Sequence, residues 1–346
     1  MALSETLYGK TPEQLAAVCA ELGMPRFAAK QLARWLYAKH VEDPMRMSDI
    51  AAAHRAKLAE RFRPAFTPPA RITESADGTK KYLYRTQQGA WIESAYIPDG
   101  ERATLCVSSQ AGCRMGCKFC ATGRQGLQHS LTAPEILNQI VSLPERDSLT
   151  NVVFMGMGEP LLNLRETTRA LEMLNHDKGM DFSPRRITVS TCGVKAGLRE
   201  LGDSGLAFLA VSLHAPNQDL RAKIMPKAAN WHLDDLMATL ESYPLKTREH
   251  ITFEYLLLGG VNDQPEHARE LARLVSRVKG KLNLIAYNPS ETQLYKAPTE
   301  ADILAFEKIL WSKGVTAILR KSKGQDIKAA CGQLKSDWER EKGDEE

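Results

Sequence analysis

Nowhere in the 346-residue sequence is there an apolar run long enough to cross a bilayer. The most hydrophobic stretch, Leu206 to Leu213, is less than half of the about 20 residues a spanning helix needs. The opening residues, MALSETLYGKTPEQ, lack the basic cluster and apolar segment of a secretory leader. A soluble, cytoplasmic protein without a membrane partner is therefore expected. Charge of one sign is also scarce. Lys and Arg number 46 against 42 Asp and Glu, a net +4 that permits nucleic-acid binding without demanding it. Seven cysteines are too few and too clustered for a disulfide framework, and no internal repeat or low-complexity segment is present. In a reducing compartment, clustered cysteines point instead to metal or redox chemistry. The rest of the composition, 43% hydrophobic and 25% charged, suits one large core or two domains and excludes a mainly disordered chain.

Three regions and a tail follow from the residue pattern. Residues 1–70 read as helical. Thr11-Pro12-Glu13-Gln14 is a capping box with proline at the first helical position, and Leu15, Val18, Cys19 and Leu22 follow at helical spacing. A second helix carries Phe27, Leu32, Trp35 and Leu36, and a third is expected from Ser48 toward Phe62. The block holds ten Lys or Arg against seven Asp or Glu, a balance of +3. That suits either an ordinary bundle with a solvated surface or an accessory domain that holds RNA through phosphate contacts. Residues 71–100 change to strand periodicity, with hairpin turns at Asp77-Gly78 and Asp99-Gly100 flanked by Lys81–Arg85, Trp91–Ile97 and Ala103–Val107. From 101 to 334 strands and helices alternate. Apolar runs at Asn151–Met155, Arg186–Ser190, Phe208–Leu213, Thr252–Leu257 and Lys281–Ala286 are separated by helical segments, one opening on a second capping box at Thr132. This α/β pattern predicts a parallel sheet of six units, counting the strand that ends near Cys106, with a further strand at Val315–Arg320. Six is fewer than the eight of a closed barrel. Residues 335–346 form a charged tail expected to fray.

The chemistry starts at Cys113-Arg114-Met115-Gly116-Cys117-Lys118-Phe119-Cys120. The spacing C-x3-C-x2-C lets one short loop present three thiolates, the usual ligands of iron–sulfur clusters. A four-iron cubane held by three ligands keeps one iron open. Structural zinc sites want four closed ligands, and no second Cys or Cys/His pair with metal-ligand spacing exists in the sequence. The motif, with its aromatic before the last cysteine, resembles the signature of radical S-adenosylmethionine (SAM) enzymes. That resemblance implies one 4Fe-4S cluster on Cys113, Cys117 and Cys120, SAM on the open iron, and a partial six-unit (β/α) barrel. In its light Gly156-Met157-Gly158-Glu159-Pro160 resembles the element that holds the methionine amino group of SAM, through Gly158 and Glu159. Without it, a glycine-rich turn after a strand is unremarkable.

Three further residues remain ambiguous on their own. Cys106 and Cys331 read either as small buried side chains or as reactive thiols. The cations Arg320, Lys321, Lys323 and Lys328 near Cys331 would favour its thiolate, or would meet phosphates. Glu93 shares a strand face with Trp91, Ala95 and Ile97, and is either an edge residue or an acid buried for chemistry. Arg114, Lys118 and Arg124 are phosphate contacts or ordinary surface charges. The longer motifs LCVSSQAGC, CKFCATGRQG, FMGMGEPL, ITVST, SLHAPN, FEYLLLGGVND and GQDIKAACGQL bear on these choices. Together they resemble the RlmN/Cfr family of radical SAM RNA methyltransferases over nearly the whole length.

That resemblance implies catalytic roles for Cys331, Cys106 and Glu93, and SAM contacts from Ser190, Ser212, Leu213, His214 and Asn288. It gives Cys192 no role. It implies two SAM per turnover, one methylating Cys331 and one supplying the radical. The reaction ends in a transient Cys106–Cys331 disulfide. The substrates implied are an adenosine of 23S ribosomal RNA and one of tRNA, methylated on carbon 2. A Cfr-like member would methylate carbon 8 instead. An electron donor such as flavodoxin or ferredoxin and a monomeric chain complete the expectation. A zinc-dependent RNA-binding module is the alternative from another class. A radical SAM activase or carbon-skeleton enzyme would leave the Cys106/Cys331 pair unexplained.

Overall fold

Alternation along the strands decides the architecture. The computed structural model describes residues 5–289 and 294–334, so the expected tail at 335–346 lies outside the described residues. Twelve strands are present among them: β1 Arg71–Glu74, β2 Lys80–Arg85, β3 Trp91–Asp99, β4 Arg102–Cys106, β5 Gln110–Gly112, β6 Leu127–Ser130, β7 Asn151–Phe154, β8 Ile187–Thr191, β9 Phe208–Ser212, β10 Ile251–Leu257, β11 Gly280–Ala286 and β12 Ala317–Arg320. Ten form one sheet in the order β1-β2-β3-β4-β7-β8-β9-β10-β11-β12. From β4 to β12 every pairing is parallel, and each successive pair is joined by a crossover that contains at least one helix. Six crossovers and a closing strand are the partial (β/α) barrel that the sequence predicted.

Register assigns the two faces. Val152, Phe154, Val189, Val211, Phe253 and Leu284 point outward into one apolar layer shared with the helices. Their alternates fall on the inner face, and the in-register pairs Cys106↔Val153, Ser212↔Glu254 and Glu254↔Asn283 carry it around the sheet. An inner face of thiol, hydroxyl, amide and carboxylate cannot be a dry core, since each such group needs a partner when buried. It is the face on which a ligand can be held.

The hairpins β1–β2 and β2–β3 extend this sheet antiparallel from β4. β1 was not foreseen, because RITE is mostly exposed and carries no apolar alternation. The helices before it dock on the helix Ala133–Val141, where the Asn138 side chain bonds both the N–H and the C=O of Thr67, each at 2.9 Å. The third helix begins at Ala52 rather than Ser48. Asp49, next to the expected cap, is used by Arg34 at 2.8 Å and by the Trp35 indole, so tertiary contacts take the place of a local cap. The second helix widens into a π-helical turn at Arg34–Ala38, which ends by burying Trp35 and Leu36. Among the described residues no helix is long and apolar enough to cross a membrane.

The cysteine loop is suspended between β5 and β6, a separate two-stranded ribbon with a register shift at Ala111/Gly112. Gly112 has φ +75°, and a Cβ there would lie 1.9 Å from the Gly126 carbonyl oxygen, which accepts the Cys113 N–H at 2.8 Å. Both the backbone conformation and the space require glycine. Gly112→Ala is expected to cost about 3 kcal/mol or more, from strain and backbone overlap together. The check is a lowered melting temperature of the metal-free chain, with added methyl bulk on the neighbouring helix as a control.

Candidate active site

Three elements meet at the C-terminal edge of the sheet: the cysteine loop, the hairpin extension and the chain after β12. Cys113 and Cys117 are buried and Cys120 is half-buried, in a small apolar cluster with Met115, Phe119, Ile224 and Tyr287. Backbone bonds fix the loop from several sides. Lys118 N–H donates to Ile224 C=O at 2.9 Å, Cys120 N–H to Cys117 C=O at 3.1 Å, and Ala121 N–H to Gly332 C=O at 2.7 Å. Burial, with neighbouring thiolate charge adding to it, pushes the Cys113 thiol up to about 12 and the Cys120 thiol up to about 11. Three thiolates in this setting need a cationic group among them. The donor set, three thiols on one short loop, fits a 4Fe-4S cluster, which takes each thiolate on a different iron, better than a structural zinc ion, which wants four closed ligands.

The candidate SAM residues lie on the inner face and at the strand ends. Gly158 has φ +102°, and a Cβ there would sit 2.6 Å from the Gln110 Cβ. Glu159 is buried. Its carboxylate accepts from Leu161 N–H at 3.1 Å and Cys192 N–H at 2.8 Å, and desolvation raises its pKa against those bonds. Two lone pairs per oxygen leave it able to accept again. The Ser190 and Ser212 hydroxyls are 3.3 Å apart. His214, at φ +52°, stands edge-on to Phe119 of the cysteine loop, with ring centroids 4.9 Å apart. Its Nδ1 accepts the Leu256 N–H at 3.0 Å, and burial, with Arg221 nearby, holds its pKa down at about 3. The imidazole is therefore neutral, with its proton on Nε2. Asn288 donates to the Ser322 hydroxyl at 2.9 Å. Leu213 differs from the others: its side chain is fully buried in the outer apolar layer and its carbonyl accepts the Ala215 N–H at 2.7 Å.

Cys106, Glu93 and Cys331 gather on one side. Cys106 is directly opposite Ala95 across β3–β4, and Glu93 is two residues along the same face of β3. Glu93 is buried rather than an edge residue, with Leu83 of β2 opposite it on one side and the Ser108 hydroxyl donating to its carbonyl at 2.6 Å on the other, and it pairs with Lys81 at 2.9 Å. Ala329 closes a small apolar cluster with Ala95 and Cys106. Burial pushes the Cys106 thiol up to about 12, and charge on Cys331 adds to the rise. Cys331 itself is exposed, yet desolvation raises its pKa; Arg320 opposes the rise and Glu254 reinforces it. The expected thiolate-stabilising cations do not prevail. Lys323, for one, is engaged with the Pro98 carbonyl at 3.3 Å and Asp99 at 3.6 Å. All seven cysteines are free thiols.

What the sequence did not single out is Glu254, whose Oε1 accepts from Asn283 at 2.8 Å while Oε2 has no partner, and the buried Arg221. Register parity on β10 was the available signal for Glu254, because it makes the acid an inner-face residue between Thr252 and Leu256. No sequence signal marks Arg221. Arg114, Lys118 and Arg124 are exposed around the loop.

Both halves of this arrangement match known families. Residues 107–272 match the radical SAM superfamily, which works with a 4Fe-4S cluster and SAM, and residues 6–63 match the ribosomal RNA large subunit methyltransferase N-terminal domain. The dual-specificity RNA methyltransferase RlmN of Nitratidesulfovibrio vulgaris strain DP4 is 59% identical, over 94% of this chain and 93% of that protein. That of Lawsonia intracellularis is 52% identical, over 94% and 95%. The crystal structure of a radical SAM methyltransferase from Sphaerobacter thermophilus superposes with a TM-score of 0.91 at 40% identity, covering 96% of this chain and all of that one. The chain belongs to the RlmN family of radical SAM RNA methyltransferases.

The Cys331 segment is tied to the hairpin turns. Asp77 accepts from Gly324 N–H at 2.9 Å, and Asp326 from Ser75 Oγ at 2.6 Å. Desolvation opposes ionisation of Asp77, but its hydrogen bonds outweigh it and hold the carboxyl well below its usual value of 3.8; the Ser75 hydroxyl lowers Asp326 similarly. Carboxyls depressed in the folded state stabilise it fully above the unfolded value and lose that contribution as pH falls through the folded one. Docking should therefore hold down to about pH 4 and weaken below it. Trapping with 4,4′-dithiodipyridine, which works in acid, is expected to label Cys331 first and spare Cys106 above pH 4. In Asp77→Asn, losing about 1 kcal/mol should raise Cys106 labelling about fivefold.

Proposed function

We propose that this protein methylates carbon 2 of an adenosine in 23S ribosomal RNA and in tRNA, with Cys331 carrying the methyl group. The observation that carries this reading is the meeting of Cys331 with both Cys106 and the cysteine loop. Ala329 packs on Cys106, while Gly332 bonds Ala121. Cys113, Cys117 and Cys120 would hold one cluster per chain. Gly158, Glu159, Ser190, Ser212, His214 and Asn288 would contact SAM, and Leu213 would serve by placing its neighbours.

Carbon 2 of adenine lies between two ring nitrogens and is electron-poor, so it is a poor partner for the electrophilic methyl of SAM. Bound cluster and SAM supply what the side chains lack, a carbon-centred radical able to remove hydrogen from a methyl group. Cys331, as a thiolate, would first take the methyl group of one SAM, with S-adenosylhomocysteine leaving; this requires loss of its proton in spite of the raised pKa, and Arg320 is the charge that favours it. A second SAM is used for the radical, giving two per turnover. With the methyl carbon joined to the ring, Glu93 would take the proton from carbon 2, and the one unpaired electron left on the ring would pass back to the cluster. Cys106 then attacks the Cys331 sulfur, the methyl carbon leaves with the electron pair and gains a proton, and a disulfide remains. An electron donor of the flavodoxin or ferredoxin class would reduce the cluster, and reduction of the disulfide by two electrons would reset the thiols.

The base must be unpaired or turned out of its helix for carbon 2 to be reached. Residues 1–70 are assigned as the RNA-holding domain, 71–100 as the extension that backs Cys106 and 101–334 as the catalytic core, in a monomeric cytoplasmic protein. Nucleoside mass spectrometry after reaction with 23S RNA tests the regiochemistry. The expected product is 2-methyladenosine, and 8-methyladenosine would overturn the assignment. Cys331→Ala is expected to lose at least about a thousandfold in rate, as for removal of a nucleophile. Cys106→Ala should instead accumulate a covalent enzyme–RNA adduct, seen as a shifted band on denaturing gels.

A further inference from the structure

Among the described residues Arg221 is the largest fully buried side chain, on the short helix Gln218–Ile224. Its Nη2 donates to the Cys192 carbonyl at 2.6 Å, while Nε and Nη1 have no partner. Among the described residues no carboxylate pairs with it, so one positive charge and two donors are enclosed in protein without an anion. A buried guanidinium in this state is costly unless an anionic group completes it.

The neighbours show where that group belongs. The helix that carries Arg221 ends at Ile224, whose carbonyl holds Lys118 of the cysteine loop at 2.9 Å. Cys192, whose carbonyl Arg221 holds, packs against the apolar cluster that contains Cys113 and Cys117. Cys117 and Cys192 are also the groups with which the guanidinium charge interacts. Arg221 is thus tied to the loop twice, by its own helix through Ile224 and Lys118 and by its bond to Cys192, which packs with Cys113 and Cys117.

We propose that Arg221 is a positioning residue for the iron–sulfur cluster: it holds the backbone at Cys192, which packs with Cys113 and Cys117, and keeps its charge and two unpartnered nitrogens buried beside the cysteine loop. This rests on the assignment of Cys113, Cys117 and Cys120 as cluster ligands. Each electron entering the cluster makes it more negative, so an adjacent fixed cation favours the reduced state. The residue would set how readily the cluster is reduced, apart from any contact with substrate.

The test is a redox titration, followed by absorbance and EPR, of anaerobically reconstituted native, Arg221→Gln and Arg221→Lys enzymes, without SAM or RNA. In Arg221→Gln the ratio of reduced to oxidised cluster at fixed poise is expected to fall about tenfold, a shift of about 59 mV for one electron. Arg221→Lys keeps the charge and should change less than twofold. An unchanged midpoint in Arg221→Gln overturns the proposal, as does an equal fall in both variants. So does an unchanged midpoint with weakened SAM binding, which would give the guanidinium to the SAM carboxylate. Should Arg221→Gln not fold, pulsed EPR of the reduced native enzyme labelled with 15N-arginine decides. A 15N coupling absent from Arg221→Lys is expected, and its absence from the native enzyme overturns the proposal. A native protein that binds no iron would instead refute the cluster assignment itself.

Discussion

The hydrogen bond from Ala121 N–H to the Gly332 carbonyl, 2.7 Å long, couples the two halves of the active site. One partner directly follows the last cysteine of the cluster motif and the other directly follows Cys331. The Thr122 hydroxyl donates to the Leu334 carbonyl at 2.7 Å, so the junction is doubled. More than two hundred residues separate these positions in the chain. A radical is useful only if the group it attacks is held within reach, and this short pairing of backbone fixes that distance more firmly than side chains could. The hairpin extension braces the same segment from the other end, through Asp77, Asp326 and Lys323. Cys331 is therefore held between two anchors, one on the cluster loop and one on the antiparallel end of the sheet.

Desolvation orders the thiols. Cys106 lies beneath Ala329 with its pKa near 12, whereas Cys331 meets solvent and has Arg320 to favour its charge. The more accessible thiol is suited to accept a methyl group, and the shielded one to wait until that carrier is alkylated. Were both equally ionised and open, they would join as a disulfide before any methyl arrived. On the proposed mechanism, burial of Cys106 would be a condition of the reaction order. Glu93 adds to it, since its pair with Lys81 holds a carboxylate on the same strand face.

Much of this was legible in the chain, for identifiable reasons. The C-x3-C-x2-C loop reads directly because ligand spacing is local. The strands of the parallel sheet read to within a few residues because each buries an apolar face, as at Phe208–Ser212 and Ile251–Leu257. The face of Glu93 followed from strand parity alone. What failed was tertiary. The start of the third helix was lost to Asp49 being used by Arg34 and Trp35, and β1 was lost because an edge strand of RITE has no buried face. The β5–β6 ribbon, only three and four residues long, carries no period that a window can detect. The cations near Cys331 were counted correctly but weighed wrongly, because sequence proximity says nothing of desolvation.

Arg221 belongs to that last class of unreadable features, and it shows what the inner face is for. The outer face of the sheet is satisfied by apolar contact alone, so its residues have nothing left to offer. On the inner side, Glu254 Oε2 and Arg221 Nε and Nη1 remain without partners although both side chains are buried. Unmet donors and acceptors inside a protein are destabilising for the chain by itself. They persist where a ligand supplies the missing partners. Opposite charges at two places also divide the work. The cation lies beside the cluster loop, where charge accumulates on reduction. The acid lies between Ser212 and Asn283, toward Cys331, where hydroxyl and amine donors of SAM or of the target base can satisfy it.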